Sequence, residues 1–358
     1  MTRCIPTDAA TITLGVDTHK DAHVAVALDG LGRRQGTLSI PTTPEGYKKL
    51  VDWASEFGPL EHAGVEGTGS FGAGLARFLK SRGIKVFEVI RPKRTQQYRS
   101  GKSDPIDAES AARSVLADTA IGEPKGADGE VEMIRTLRIT RRSAVKARAQ
   151  AANQIQALLL TAPEGLKSEL CGLSTARVVE KAWRLRPGAT PSDVEEATKF
   201  ALRSMARRYQ HLSEEIGKLD EQLNRVVSQV APELVAVEGI GTDTAASLLI
   251  AVGDNPERLK SEAAFAHLCG AAPIPASSGK TVRHRLNRHG NRDANRALYV
   301  IAVCRMSRDE RTRTYVAKRT AEGKTKKEII RCLKRYIARE IYRILASPSS
   351  HSTSISGP

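Results

Sequence analysis

"TITLGVD", residues 11–17, is rich in β-branched residues and ends at Asp17, which predicts the first strand of a sheet. "HVAVALD" (23–29) follows after a short polar turn, and "RRQGTLSI" (33–40) follows after a turn that contains glycine. Three strands joined by such tight links are typical of an antiparallel meander. The sequence therefore predicts an N-terminal domain that begins with three antiparallel strands.

Helix and strand patterns alternate after this meander. They are a helix at 42–57, a strand at 62–67 that contains Glu66, a helix at 70–83 and a strand at 85–90. A further helix is predicted to begin at Ser103 or Asp104, in the stretch "GKSDPIDAE" (101–109). This order of three strands and then alternating helices and strands predicts a mixed sheet covered by helices.

Four carboxylates fall at the ends of these elements, and they are Asp17, Glu66, Asp104 and Asp107. Each of them alone is also explained as a turn residue, a loop acid, an N-cap or a first-turn acid. Asp104 and Asp107, at positions i and i+3 of one helix, face the same way. Carboxylates gathered at one point repel each other unless cations bind. The set therefore predicts a site for two Mg²⁺ ions about 4 Å apart, with Mn²⁺ as the alternative metal.

The strand patterns disappear from about residue 129 to 230. Residues 130–162 contain no glycine or proline and continue the helical period, and a second long helix is predicted over 192–231. Between them, 163–191 is rich in Gly, Pro and Ser and predicts a break, so this region is expected to be a helical hairpin or a coiled-coil arm. Its second helix has apolar residues at 4-3-4-3 spacing, at Leu212, Ile216, Leu219, Leu223 and Val226. This seam fits packing within the monomer and dimerisation equally well.

Positive charge is concentrated in the last part of the chain. Of the net charge of +16, most lies between Lys280 and Arg343, where 20 Lys/Arg stand against 6 Asp/Glu. This concentration favours a polyanionic partner, with nucleic acid before an anionic membrane surface, although a solvated helical surface is the alternative. The Gly-x-Gly turn in "VEGIGTDTAASLLIAVG" (237–253), with Thr242 or Asp243 as the helix cap, fits a phosphate-binding helix-hairpin-helix or a plain turn between helices.

Several classes of protein are disfavoured. The chain contains no run of eighteen apolar residues and its N-terminus lacks the layout of a signal peptide, so we expect no membrane partner and a cytoplasmic location. Five scattered cysteines without a CxxC pair indicate reduced thiols and argue against a disulfide framework or a zinc knuckle.

The order of elements, with the four acids at their ends, resembles the RNase H-like fold in its RuvC-like version. The segments "GVDTHKDAHVAVA" (15–27), "GVEGTGSFGAGLARFL" (64–79), "KSDPIDAESAARS" (102–114) and "CGAAPIPASSGKTVRHRLNRHGNRDANRAL" (269–298) occur in this order. Together with 237–254 they resemble the DEDD-type transposases of bacterial insertion sequences, whose recombinases are guided by a bridge RNA. We therefore expect a RuvC-like DEDD domain at 1–125, a helical or coiled-coil arm at 126–231, a mainly α C-terminal transposase domain at 232–346 and a disordered tail at 347–358.

The resemblance also implies a second site, in the loop "AAPIPASSGKTVRHR" (271–285). Ser277 and Ser278 are explained as ordinary loop residues by composition alone. In the family a serine of this loop attacks a DNA phosphate and forms a covalent link, and its position four residues after Pro273 selects Ser277, with Ser278 as the alternative. A serine hydroxyl needs a base or a metal for activation, which the carboxylate site would supply.

The basic helices then form candidate nucleic-acid-binding surfaces. Their residues are Arg135, Arg138, Arg141, Arg142, Lys146 and Arg148 in the first long helix, and Lys280, Arg283, Arg285, Arg288, Arg292 and Arg296 in the C-terminal part. The resemblance implies donor and target DNA, a structured guide RNA, a homo-oligomer (dimer or tetramer) and association with the bacterial nucleoid. The competing hypotheses are a metal-dependent junction-resolving endonuclease that uses water as the nucleophile, and a non-catalytic nucleic-acid-binding protein.

Overall fold

The computed structural model describes residues 11–89, 103–119, 122–126, 128–276, 284–285, 287 and 290–346. The chain divides into two compact units. The first comprises the residues up to 129 together with Val252–Lys260, and the second comprises Glu130–Ala251 and the chain from Ser261 onward. The domain boundaries expected from the sequence at 125 and 231 stay predictions.

A five-stranded sheet forms the centre of the first unit. Its strands are β1 (Ile12–Thr18), β2 (Ala22–Leu28), β3 (Arg34–Pro41), β4 (Leu60–Glu66) and β5 (Lys85–Val89). They are arranged in the order β3-β2-β1-β4-β5, with β1, β2 and β3 antiparallel and with β4 parallel to both β1 and β5. The predicted meander and mixed sheet are confirmed. The central strand β1 is buried along its whole length.

Helices cover the sheet, and they are α1 (Pro44–Ser55), α2 (Ala73–Ser81) and α3 (Asp104–Leu116). The Thr43 hydroxyl caps α1 by accepting a hydrogen bond from the backbone N–H of Gly46 at 3.2 Å. Leu14 and Val16 of β1 share one apolar core with residues of α1 and α2. On α3, Ala108 and Ala112 pack instead with residues of β2. The alternation of the strands thus divides the apolar residues between two layers.

Two glycines allow α3 to lie directly on the sheet. Gly15 of β1 and Gly64 of β4 are neighbours in the parallel register. A Cβ atom on Gly15 would come within 1.9 Å of the carbonyl oxygen of Ala108, and one on Gly64 within 2.7 Å of that of Ala111. No side chain fits between the strands and the helix backbone at these positions. The contact therefore determines where the first turn of α3 lies relative to the end of β1.

A segment from late in the sequence belongs to this first unit. The side-chain amide of Asn255 accepts a hydrogen bond from the backbone N–H of Gly126 at 2.8 Å and donates one to the carbonyl oxygen of Pro124 at 3.0 Å. Arg258, in a short 3₁₀ turn, donates to the carbonyl oxygen of Val252 at 2.9 Å. The residues that form these hydrogen bonds follow no hydrophobic periodicity. The sequence pattern therefore does not predict that this segment packs with the first unit.

The second unit is mostly helical, as the sequence predicted. Its helices are α4 (Glu130–Leu160), α5 (Glu164–Leu170), α6 (Thr175–Arg184), α7 (Val194–Val230), α8 (Pro232–Val235), α9 (Thr242–Val252), α10 (Glu262–Leu268), α11 (Arg292–Arg308), α12 (Glu310–Ala321) and α13 (Lys326–Leu345). A small antiparallel pair, β6 (Ile274–Pro275) and β7 (His284–Arg285), lies between α10 and α11.

The predicted break at 163–191 is wrong in part, because α5 and α6 occupy most of it. Leu170 of α5 and Val178 of α6 pack into one apolar cluster with Ile155 of α4 and Leu202 of α7. The Gly, Pro and Ser residues separate two short helices rather than forming one long loop. The few apolar residues of α5 and α6 pack against the two long helices α4 and α7. Local composition does not predict this packing, because the contacting residues lie elsewhere in the sequence.

The packing of α7 against α4 departs from the predicted seam. Ile216 and Leu223 are buried, as expected, whereas Leu212, Leu219 and Val226 are only partly buried. Two polar residues of α7 have partners on α4 instead: Ser213 lies 3.4 Å from Arg148, and Asp220 pairs with Arg141. The seam lies within the chain, and a coiled-coil arm is not confirmed. Among the described residues, every helix is too short or too polar to span a bilayer.

We expect Gly15→Ala to destabilise the first unit by about 1–3 kcal/mol or more, because the added methyl group overlaps the backbone of α3. Urea unfolding followed by circular dichroism measures this change. Gly69→Ala is the matched control, since a Cβ there meets nothing within 4 Å, and it should change the free energy of unfolding by less than about 0.5 kcal/mol. Equal effects of the two substitutions would contradict the proposed contact.

Candidate metal centre and basic surfaces

Asp17, at the end of β1, belongs to a cluster of polar side chains. Its side chain is only 5% exposed, and its Oδ2 lies 3.2 Å from Nε2 of His19. The same His19 nitrogen lies 3.5 Å from Oδ2 of Asp104, whose side chain is about half exposed. One ligand atom from each of the three residues lies within 4.8 Å of the others. A buried carboxylate is thus joined by an imidazole and a second carboxylate at the rim.

Asp104 reaches this cluster because of the position of α3. It is the first residue of that helix, and Ser103 is the N-cap, although its side chain makes no capping hydrogen bond. The contact of α3 with Gly15 and Gly64 brings the first turn over the carboxyl end of β1. The prediction that a helix begins at Ser103 or Asp104 is confirmed.

His19 was not predicted from the sequence. It follows Asp17 by two residues in "DTH" (17–19), and residues so spaced point to the same side of an extended chain. This spacing is the signal in the sequence that could have identified His19. The backbone N–H of His19 donates to Nδ1 of His23 at 3.3 Å. Burial lowers the pKa of His23 and favours its neutral, accepting form. The ring of His23 also stacks on Tyr47, which holds the turn that carries His19.

Glu66 and Asp107 lie near the cluster without belonging to it. Glu66 is buried at the end of β4, one position beyond the paired residues Val16 and Val65. The Thr18 hydroxyl donates to the carbonyl oxygen of Glu66 at 2.9 Å and joins the two strand ends. Asp107 is in the first turn of α3, on the same helix as Asp104. Among the described residues, the clustered ligand atoms come from Asp17, His19 and Asp104, and metal-binding roles for Glu66 and Asp107 stay predictions.

The donor set fits a divalent cation. Carboxylate oxygens suit Mg²⁺, Ca²⁺ and Mn²⁺, and imidazole nitrogen suits the later first-row metals. A cation among these atoms would offset the repulsion of Asp17 and Asp104, which His19 now separates. The structure therefore contains a candidate centre for a divalent metal, and its imidazole distinguishes it from the all-carboxylate set that the sequence predicted.

The predicted basic face of α4 is largely engaged within the chain. Arg135 pairs with Glu132 of the same helix, with Nε–Oε2 at 2.7 Å. Arg141 pairs with Asp220 of α7, and Arg142 lies 2.6 Å from Asp293 of α11. Lys146 is exposed and has no ion pair among the described residues. Phosphate binding by these residues stays a prediction.

Arg138 forms a buried junction of three helices. Its Nε lies 3.0 Å from Oδ1 of Asp243 in α9, and its Nη1 lies 3.2 Å from Oδ2 of Asp293 in α11. Thr242 or Asp243 was expected to cap α9, but the helix begins at Thr242 and the carboxylate of Asp243 pairs with Arg138. Burial alone would raise the pKa of Asp293, but the hydrogen bond from Arg138 and the charge of Arg142 outweigh it and lower that pKa.

Of the remaining residues predicted to bind nucleic acid or to attack DNA, some are described by the structure and others are not. Arg285 on β7 and Arg292 at the start of α11 are exposed, as binding to phosphate requires. Five predicted residues lie outside the described residues, and they are Ser277, Ser278, Lys280, Arg283 and Arg288.

Comparison with known proteins shows two family matches. A family model described as "Transposase", for the DEDD domain of IS110 elements, matches residues 14–162. A second model, described as "Transposase IS116/IS110/IS902 family", matches residues 231–317. The first match contains all four predicted carboxylates, and the second contains the serine loop.

Two curated relatives are similar to this chain. The "Insertion element IS110 uncharacterized 43.6 kDa protein" of Streptomyces coelicolor is 34% identical over 125 residues, which are 34% of this chain and 31% of that protein. The "Transposase for insertion sequence element IS1328" of Yersinia enterocolitica is 28% identical over 244 residues, 66% of this chain and 68% of that protein. The chain thus matches about a third of the first relative and about two thirds of the second.

The family match agrees with the fold of the first unit. The DEDD transposase domain is RNase H-like, and the sheet order β3-β2-β1-β4-β5, with three antiparallel strands followed by two parallel ones, is consistent with it. In this arrangement the central strand β1 carries Asp17 at its carboxyl end.

We expect Asp104→Asn to weaken Mn²⁺ binding about tenfold or more, because it removes a charged ligand from the cluster. Isothermal titration calorimetry of the full chain with MnCl₂ measures this affinity. Asp52→Asn is the matched control, an exposed acid on α1 outside the cluster, and should bind Mn²⁺ as the wild type does. If Asp104→Asn binds equally well, the cluster is not the metal centre.

We expect Arg138→Met to lower the free energy of unfolding by about 1–3 kcal/mol at pH 7, because Asp243 and Asp293 each lose a charged hydrogen-bond donor. Lys146→Met, on the same helix, should change it by less than about 0.5 kcal/mol. The lowered pKa of Asp293 contributes stability above about pH 4 that is lost as the pH falls through it. The difference between wild type and Arg138→Met should therefore shrink in acid, and a constant difference would contradict this origin.

Proposed function

We propose that the chain is an insertion-sequence transposase of the IS110 family, because two of its segments match models of that family, and that it cuts and exchanges DNA strands during transposition. The observation that carries this proposal is the convergence of Asp17, His19 and Asp104 within the DEDD match. An RNase H-like sheet with such a cluster at the end of its central strand suits phosphoryl transfer.

In this proposal Asp17, His19 and Asp104 hold a divalent metal, with Mg²⁺ as the first choice, and Glu66 and Asp107 complete a two-ion site. When bound, such ions activate an attacking oxygen and stabilise a leaving oxygen on phosphate. Burial of Asp17 excludes water from one side of the cluster, and the half-exposed Asp104 leaves the other side open to a substrate.

Ser277 is the proposed nucleophile, with Ser278 as the alternative. Its hydroxyl oxygen would form a bond to the phosphorus of a DNA strand as the bond from phosphorus to the leaving deoxyribose oxygen breaks. The hydroxyl proton passes to a base, and the leaving oxygen receives a proton. The resulting phosphoserine link conserves the phosphodiester for rejoining, which strand exchange requires and simple hydrolysis does not.

The proposed partners follow from the same family membership. Donor and target DNA are the substrates, and a structured guide RNA selects them by base pairing. The net charge of +16 and an aromatic content of only 4% support a protein that holds phosphate backbones rather than stacking and reading bases. The proposed assembly is a dimer or tetramer associated with the bacterial nucleoid. Partly exposed apolar residues on α7, at Leu212, Leu219 and Val226, are available for contact between subunits.

Covalent trapping tests this function. Protein with its copurified RNA, cognate DNA and Mg²⁺ is denatured and examined by gel electrophoresis for a protein–DNA adduct. We expect an adduct with the wild type and with the control Asp52→Ala, and its loss with Asp104→Ala and with one of Ser277→Ala and Ser278→Ala. Cleavage without an adduct that survives both serine changes would instead make the protein a junction-resolving type of nuclease that uses water.

A further inference from the structure

A cavity of about 910 Å³ in the second unit has a strongly basic lining. It lies among the segment from Gly270 to Pro273, the strand β7, and the helices α12 and α13. Seven of its lining residues are lysine or arginine, and one, Glu328, is acidic. Its lining residues do not include those of the α4 ion pairs.

Lys334 of α13 lines this cavity and is itself 7% exposed. Its Nζ donates to Oδ1 of Asn295 at 2.7 Å. The amide nitrogen of Asn295 donates in turn to the carbonyl oxygens of Cys269 and Gly270, at 2.8 and 3.1 Å. These two bonds fix the amide with its oxygen toward Lys334. A lysine ammonium has three N–H groups, and within the part of the chain that the structure describes one of them is hydrogen-bonded, to Asn295.

The ammonium of Lys334 has no carboxylate partner among the described residues. Burial lowers its pKa, as expected for a cation without a counter-ion. The neighbouring Cys269 supplies no negative charge, since burial raises the pKa of its thiol to about 12. A buried cation with only neutral partners is unfavourable unless an anion enters.

The acids close to the cavity have partners of their own. Glu328 accepts hydrogen bonds from Thr325, in the capping box at the start of α13. Glu262 pairs with both Arg335 and Arg339 of α13. Another acid nearby, Glu322, pairs with Arg319 at 2.6 Å. An external anion would therefore find Lys334 without a competing carboxylate.

We propose that this cavity binds a backbone phosphate of DNA, with Lys334 as the buried cation that contacts it. A compact ammonium is a suitable point charge for a phosphate oxygen, and Arg285, Lys324 and Arg331 add positive charge around it. DNA is the committed occupant because it is the substrate of the proposed function, and Pro273 of the cavity lining stands four residues before Ser277 in the sequence. The inference thus rests on the proposed function and adds a phosphate-binding residue to it.

Fluorescence anisotropy of the full chain with a labelled 20-base-pair duplex tests the proposal over a series of salt concentrations. We expect Lys334→Met to weaken binding about tenfold or more and to lower the magnitude of the salt slope by about one. Its melting temperature should equal or exceed that of the wild type, because methionine replaces an unpaired buried charge at similar volume. Lys327→Met, an exposed residue of the same helix outside the cavity lining, is the control and should lose less than about threefold.

Four other outcomes overturn the inference. Unchanged duplex binding with a lower melting temperature would make Lys334 a purely structural residue. Weaker binding of a single-stranded RNA of the same sequence, with duplex binding intact, would assign the cavity to RNA. If the wild type binds the duplex and forms the covalent adduct while Lys334→Met does both equally well, this inference fails and the proposed function stands. A wild type that neither binds nor cleaves DNA would remove both.

Discussion

The contact of α3 with two glycines is the constraint on which the candidate metal centre depends. Gly15 and Gly64 lie side by side on β1 and β4, and a Cβ on either would overlap backbone atoms of α3. Because the helix lies directly on the strands, its first turn has a single position over the end of β1. Asp104 thereby reaches His19 and Asp17, although nearly ninety residues separate the two acids in the sequence. The close packing of the α3 backbone on the strands thus determines which side chains can bind a metal together.

The positive charge of the chain serves two different purposes in the second unit. On α4, Arg138 and Arg141 join helices by pairing with Asp243, Asp293 and Asp220. Around the cavity of α12 and α13, the acids are engaged with other residues, and within the described ranges of the chain Lys334 has only neutral partners. A count of lysines and arginines does not separate these cases. The difference lies in which cations have a carboxylate within reach, because a buried cation without one gains most when an anion binds.

Much of the first unit could be predicted because its signals are local. The strand that ends at Asp17, the cap at Thr43 and the helix that begins at Asp104 all follow from residues adjacent in the sequence. The seam of α7 was predicted only in part, since Ile216 and Leu223 are buried but the positions between them include Asp220, a polar residue that pairs across to α4. Hydrophobic periodicity cannot identify a polar pair between two helices, because it reports only the apolar residues of a single helix.

The sequence by itself determined the classes of element, their order and the residue types at their ends, because propensity, capping and alternation act over a few neighbouring residues. Only the tertiary structure decided which of those ends meet. It brought His19 between Asp17 and Asp104, and it buried Arg138 against two acids. It also buried Lys334 with Asn295 as its hydrogen-bond partner and, as far as the structure describes the chain, without a counter-ion. These outcomes depend on distances between residues far apart in the chain, and such distances are determined by packing of the elements rather than by their own sequences.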